Sequence, residues 1–221
     1  MTPQQTIETV PTETQSFAEW IQSNSKAVGI GIAIVAVGAV GYWFYLRSAE
    51  IKRRNADRGL NQAKQSISAG NAALAESDLQ KVANRYTGTP AGAQAAMLLA
   101  QMYFDQAKAP EGLKTLEPYQ SGSTAGSSLA AVWVLTGDGQ VLSGKPDDAA
   151  KSYQKAADAT ALPGEKAIYV SKSARALMLA GKNEDARKLW ERLATDPTAV
   201  SVRNEAEVRL GELMAKPAGK S

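Results

Sequence analysis

Two hydrophobic patterns divide the chain. Residues 27–46, AVGIGIAIVAVGAVGYWFYL, run for twenty positions without a charge, between Lys26 and Arg47. A helix rises about 1.5 Å per residue, so this run spans about 30 Å, the thickness of a bilayer's hydrocarbon core. Beyond residue 50 the pattern changes: Ala is abundant, Val, Ile and Thr are sparse, and no alternating apolar and polar runs appear. Good helix formers without a period of two predict an all-α chain.

The apolar run reads as one transmembrane helix over 27–46, preceded by an N-terminal tail over 1–26. Its end carries Tyr42, Trp43, Phe44 and Tyr45 just before Arg47; such rings suit the headgroup boundary, and Arg snorkels outward from there. Ala36-Val37-Gly38 and Ala39-Val40-Gly41 loosely mimic a signal-peptide cleavage site. Against that reading, the run is too long, and the region before it holds Glu8, Glu13 and Glu19 with a single Lys. Ala27, Gly31, Gly38 and Gly41 suggest a stripe for close helix packing. Gly is common in membrane helices, and no strict G-x-x-x-G occurs here.

The second pattern repeats. Residues 144–156 read GKPDDAAKSYQKA and residues 181–193 read GKNEDARKLWERL, 37 positions later. Steps of 37 link Gly70, Ala107, Gly144 and Gly181; Ala75, Gly112, Ala149 and Ala186; Leu79, Leu116, Tyr153 and Trp190; and Val82, Tyr119, Ala156 and Leu193. Upstream, Ala63, Ala100, Gly137 and Ala174 form one column, and a further step reaches Gly211. The first column predicts a left-handed cap that reverses the chain. The second predicts a small residue where two antiparallel helices touch, and the third a large side chain filling the space between units. Breakers such as Thr87-Gly88-Thr89-Pro90, Ser121-Gly122-Ser123-Thr124, Leu162-Pro163-Gly164 and Asp196-Pro197 separate the units. Self-similarity at this period predicts a stack of helical hairpins, each too small to be stable alone.

Trp133, Thr136, Gly137, Gly144, Ala149, Tyr153 and Ala156 resemble the tetratricopeptide-repeat pattern of W-x-x-L-G, a small turn residue and A-x-x-x-F/Y-x-x-A. The next unit has Val170 at the Trp position and the first has Gly59 there. The expected fold is therefore all-α, an N-terminal transmembrane helix followed by a tetratricopeptide-repeat helical solenoid. Four hairpins of about 37 residues plus a capping helix occupy 47–215, and 216–221 forms a disordered tail.

The layout also resembles the family of ancillary SecYEG translocon subunits, the YfgM-like proteins. The resemblance rests on Phe17-Ala18-Glu19 ahead of the span, a Gly-rich span ending in Trp and Tyr, and degenerate hairpins afterwards. It implies a bacterial inner-membrane protein whose repeats face the periplasm, with the Sec translocon, periplasmic chaperones and their clients as partners. The basic flank Arg47, Lys52, Arg53, Arg54 and Arg58 departs from that topology: the positive-inside rule places the repeats in the cytoplasm. Those charges would alternatively pair with anionic headgroups on the outer leaflet.

Composition narrows the chemistry. The chain has no Cys and no His, which removes thiol nucleophiles, His bases and the usual zinc, haem and iron–sulfur ligands. A formal charge of +3 with a pI near 9.0 is too mild to argue for nucleic acid. No nucleophile elbow or phosphate loop occurs; Gly219-Lys220-Ser221 and Gly137-Asp138-Gly139 are fragments of such motifs without their context. Ser23 to Lys26 and Ser152 to Lys155 match S-x-x-K, leaving a Ser/Lys hydrolase as a remote alternative. Asp147, Asp148, Glu184 and Asp185 read as acids at helix starts, favoured by the helix dipole. No catalytic residue, cofactor, metal or small-molecule substrate is expected.

What remains is a surface. By register with tetratricopeptide arrays, the first helices of successive hairpins line a groove for peptides. Met97, Gln101 and Phe104 fall there from one unit, Val134, Asp138 and Val141 from the next, and Ser171, Arg175 and Met178 from the third. The Lys and Asn of the carboxylate clamp are absent, and Met, Val and Phe suit apolar segments. Phe104, Val141 and Met178 serve equally well as core between hairpins. The function expected is a membrane-anchored, non-enzymatic protein-binding scaffold near the Sec translocon; the alternative is a cytoplasm-facing scaffold that recruits soluble partners.

Overall fold

The computed structural model describes Trp20 and residues 22–215. The Phe17-Ala18-Glu19 element, most of the N-terminal tail and the tail over 216–221 lie outside the described residues. All regular structure among the described residues is helical, and the chain divides after Ile51 into two compact units. Helix α1 (Ser25–Ser68) contributes residues to both.

In the first unit, α1 is the one helix among the described residues that is long and apolar enough to cross a membrane. A core helix of a soluble protein is mostly buried, whereas none of this apolar stretch is; Val35 and Val37 are more than 70 % exposed, at 72 % and 73 %. A Cβ built on Gly31, Gly38 or Gly41 meets nothing within 4 Å. The stripe is thus open at these three glycines. Arg47 forms an ion pair with Glu50 at 3.2 Å.

The second unit begins at Lys52, inside the stretch from residue 47 onward that the sequence assigns to the repeats. Ala56, Leu60 and Ala63 of α1 are buried with Leu79, Val82 and Ala83 of α2 (Ala72–Arg85). There follow α3 (Pro90–Asp105), α4 (Ala109–Leu116), α5 (Leu129–Leu142), α6 (Pro146–Ala159), α7 (Pro163–Leu179), α8 (Asn183–Thr195) and α9 (Arg203–Ala215). Helices adjacent in the chain pack on one another from α2 to α4 and from α4 to α9, and α3 also touches α5.

One backbone device makes all four reversals. Gly70, Ala107, Gly144 and Gly181 have φ of +72°, +60°, +70° and +74°. At each, the N–H of the left-handed residue donates to the carbonyl three residues back, and the next N–H donates to the carbonyl five back of itself. These pairs run Gly70 to Ile67 and Asn71 to Ser66, Ala107 to Phe104 and Lys108 to Tyr103, Gly144 to Val141 and Lys145 to Gln140, and Gly181 to Met178 and Lys182 to Leu177. This is the Schellman arrangement, which satisfies carbonyls that a helix end leaves orphaned. Ala107 is the one non-glycine described residue with positive φ.

The columns on either side of each reversal are buried as their residue types require. Ala63, Ala100 and Ala174 are fully buried, as are Ala75, Ala149 and Ala186. A Cβ on Gly137 would sit 2.6 Å from Tyr153 Cε1, so the aromatic ring of the second helix rests directly on the first. Gly211, one step beyond, is exposed and an added Cβ there meets nothing: the column ends where the chain provides no further second helix among the described residues. The connections differ. Pro90 and Pro163 open α3 and α7, with the Thr89 hydroxyl accepting from Gly92 N–H at 3.0 Å. Between α4 and α5 run two 3₁₀ turns (Glu117–Tyr119 and Gly126–Ser128) and a one-turn helix Gly122–Ala125. Helix α4 has 8 residues where α6 has 14, so a shortened helix offsets the longer connection and the 37-residue period survives.

Relieving the alanine at φ +60° is expected to stabilise the fold. Ala107→Gly should raise the melting temperature of the full chain in detergent by about 1–4 °C, the equivalent of about 0.5–1 kcal/mol, and Gly144→Ala should lower it by a similar amount. Gly137→Ala should cost about 1–3 kcal/mol, because the Tyr153 ring has to move. Thermal unfolding followed by circular dichroism reads all three.

Candidate partner-binding surface

Residues four and three apart share a helix face, so α3, α5 and α7 each present a row drawn from one register. The structure places the nominated residues of these rows in different environments. Gln101 is exposed and donates to Asp105 Oδ1 at 3.1 Å. Met97 is half-buried against the first core cluster, and Val134 and Val141 are half-buried against Ala149, Ala150, Tyr153 and Ala176. Met178 is also half-buried, and its sulfur accepts the Trp190 indole N–H at 3.4 Å.

Phe104 departs from the groove expectation. It is 7 % exposed, and its ring lies 2.3 Å from where a Cβ on Gly112 would stand and 2.4 Å from one on Gly139. Two glycines on neighbouring helices leave a hole, and the ring fills it as core. Ser171 is likewise fully buried, donating to the Ile168 carbonyl at 2.8 Å.

The charged members of the rows are committed to neighbours. Asp138 on α5 accepts from the Tyr153 hydroxyl of α6 at 2.6 Å and from Lys172 Nζ of α7 at 2.9 Å, tying three helices together. Lys172 Nζ also stands 5.3 Å from the Tyr153 ring centre. Burial first, and then the hydrogen bond and charge of Asp138, push the Tyr153 phenol well above its ordinary range. Arg175 makes a two-pronged pair with Glu205 of α9, both contacts at 2.7 Å. These links join successive first helices and leave no free charge for a carboxylate clamp in those two positions. The surface offers ligands one exposed amide and a series of half-buried apolar side chains.

The remaining candidates are accounted for by local contacts. Ser152 donates to Gln140 Oε1 at 2.7 Å while Lys155 Nζ sits 4.1 Å from the Trp133 ring centre, so the two do not pair as a Ser/Lys nucleophile requires. Ser23 donates to the Trp20 carbonyl at 2.9 Å. Asp147, Asp148, Glu184 and Asp185 occupy first turns of α6 and α8 and pair with Lys182, Lys151, Arg187 and Lys188. The hydrogen bond from Lys182 holds the Asp147 carboxyl below its usual range. No group of three His, Cys, Asp or Glu side chains suited to a metal occurs among the described residues. Residues that the register did not select line a cavity of about 590 Å³ between α2, α3 and α4, among them Gln80, Asn84, Glu111 and Lys114. Their signal lies in the same 37-residue columns, read on the second helices.

Stacked antiparallel hairpins, small residues at each crossing and partly exposed faces define a helical-repeat interaction module. A model of the tetratricopeptide repeat-like domain family matches residues 55–172, more than half of the chain, and the chain belongs to that family. No curated protein matches it.

The Tyr153 network predicts alkaline sensitivity with a defined sign. Unfolded, the phenol loses its proton near pH 10; folded, it holds it to higher pH. Stability is therefore full below about pH 10 and falls as pH rises beyond it. Tyr103, Tyr119 and Tyr169, also raised chiefly by burial, add to the fall. Tyr153→Phe should cost about 1 kcal/mol at pH 7 and make the decline between pH 9 and 11 shallower, measured by urea unfolding across that range. An unchanged slope would remove Tyr153 from the account.

Proposed function

We propose that this chain is a membrane-anchored, non-enzymatic scaffold that binds proteins and assists their handling or trafficking at the bacterial inner membrane near the Sec translocon. The observation that carries the reading is the joining, in one chain, of a tetratricopeptide repeat-like domain and a helix whose apolar stretch is entirely exposed. Residues 27–46 serve as the anchor, and 47–215 as the binding module of four hairpins and a capping helix. Tethering holds the module at high effective concentration beside other membrane proteins, so weak contacts suffice. Met97, Val134, Val141 and Met178 supply an adaptable apolar face for client segments and Gln101 an exposed amide beside it, braced by Asp138 and Arg175.

The translocon and periplasmic chaperones enter as partners through the resemblance to the ancillary SecYEG subunits, which also favours a periplasmic repeat domain. The cytoplasm-facing scaffold is the second reading, and the basic flank Arg47, Lys52, Arg53, Arg54 and Arg58 favours it. One experiment separates them. Ser123 is exposed in the one-turn helix and the chain has no Cys, so Ser123→Cys provides a single thiol. In intact spheroplasts, labelling by a membrane-impermeant maleimide before lysis is the result expected for periplasmic repeats beside the translocon. Labelling only after lysis would overturn that orientation and establish the cytoplasmic scaffold.

A further inference from the structure

We infer that the cavity between α2, α3 and α4 is a second binding site, one that takes an extended peptide segment by its backbone; this rests on the protein-binding reading. Its place is unlike that of the first-helix rows: two of its walls are the second helices of consecutive hairpins. Leu99 and Tyr119, 2 % and 1 % exposed, form an apolar floor together with the half-buried Tyr103. The Tyr103 hydroxyl is directed to Glu76 at 3.1 Å and that of Tyr119 to the Ala83 carbonyl at 2.5 Å, so both rings are held in place.

The rim carries the recognition chemistry. Gln80 and Asn84 are exposed side-chain amides one helical turn apart on α2. Each amide both donates and accepts, as a peptide unit does. Four helical residues advance about 6 Å, and two residues of an extended strand advance about 6.7 Å. The two amides therefore match every second peptide group of a strand laid along α2. Alternate side chains of that strand would then point to the Leu99, Tyr103 and Tyr119 floor, and the others to solvent. Thr115 adds a hydroxyl from α4 that donates to the Glu111 carbonyl at 2.9 Å and so offers a ligand an acceptor.

Along the repeat, a cavity rimmed by two amides together with an unclosed acid and Lys occurs at one position. On the next hairpins, the acid and Lys of the same columns close on each other, Asp148 with Lys151 at 3.1 Å and Asp185 with Lys188 at 3.4 Å. Glu111 and Lys114, beside the cavity, form no ion pair with any described residue and remain available to a ligand. One step of 37 further on, the columns of Ala83, Leu99, Tyr103 and Thr115 hold Gln120, Thr136, Gln140 and Ser152. There the side chains bond across the gap, Gln120 to Thr136 at 3.4 Å and Ser152 to Gln140 at 2.7 Å. Two steps on, a smaller cavity of about 340 Å³ reopens between α6, α7 and α8, with Gln154 in the Gln80 column. It is walled by Ala150, Leu177 and Leu189, and Asp158, which holds the Asn84 column, is not among its lining residues. Only the first position combines paired amides with an unclosed acid and Lys.

The test uses the full chain in detergent micelles and a fluorescein-labelled nine-residue peptide of alternating Ser and Val, with fluorescence anisotropy as the readout. Gln80→Ala with Asn84→Ala should weaken binding about tenfold, in line with the loss of two hydrogen bonds. A peptide N-methylated at alternate residues keeps its side chains and loses those donors, and should bind wild type more weakly by a similar factor. Both substituted residues are exposed, and circular dichroism checks that the variant is folded. Equal binding by the double variant, or by the methylated peptide, overturns the inference. So does weakening by Gln101→Ala and Val134→Ala alone, which leaves the protein-binding reading intact and moves the site to the first helices. If wild type does not bind the peptide, the groove fails; a reduced, carboxymethylated α-lactalbumin probe then decides the broader reading, which survives if that unfolded chain binds and falls if it does not.

Discussion

Everything in the repeat domain follows from four chain reversals at positive φ, 37 residues apart. A helix can be ended in several ways, but a left-handed residue bonded back to the preceding turn sets the direction of the next helix as well. Repeating that geometry at Gly70, Ala107, Gly144 and Gly181 fixes which faces of successive helices meet. The small residues at the crossings and the large ones beyond them are consequences of that orientation. Tyr153 lies on Gly137 because the reversal at Gly144 puts α6 there. Ala107 holds the same conformation without glycine's freedom, which shows that the surrounding packing outweighs the local cost.

The same regularity explains where the surface is closed and where it is open. Neighbouring helices offer one another the same columns, so any polar residue there meets either a partner or a gap. Asp138 with Lys172 and Tyr153, and Arg175 with Glu205, are such partners. Buried polar groups are costly unless paired, and pairing between successive helices meets that condition while bracing the stack. Between α2, α3 and α4 a gap remains, and the amides of α2 with the acid and Lys of α4 face it.

Much of this was legible in the sequence, and what was missed shares one cause. The apolar run, the helical class, the family pattern and the reversals could be read because each depends on residues close in sequence or in register. Gly144 and Gly181 announce a left-handed cap by themselves, and the step of 37 carries it to Ala107. Phe104 could not be placed that way: its register puts it beside Met97 and Gln101, and only Gly112 and Gly139, on two other helices, make the hole it fills. The pairs Lys172 with Asp138 and Arg175 with Glu205 join residues 34 and 30 apart and follow no column. The rim residues Gln80, Asn84, Glu111 and Lys114 lay in the columns but on the second helices, where family register does not direct attention.

The central claim is that the faces left open by this stacking receive protein segments. Hydrogen exchange on the full chain in detergent micelles, with and without saturating unfolded polypeptide, tests it most directly. The account predicts slower exchange over residues 76–88 and 109–120, flanking the cavity, with α6 at 146–159 unchanged. No change in exchange anywhere between residues 52 and 215 at saturation would contradict it.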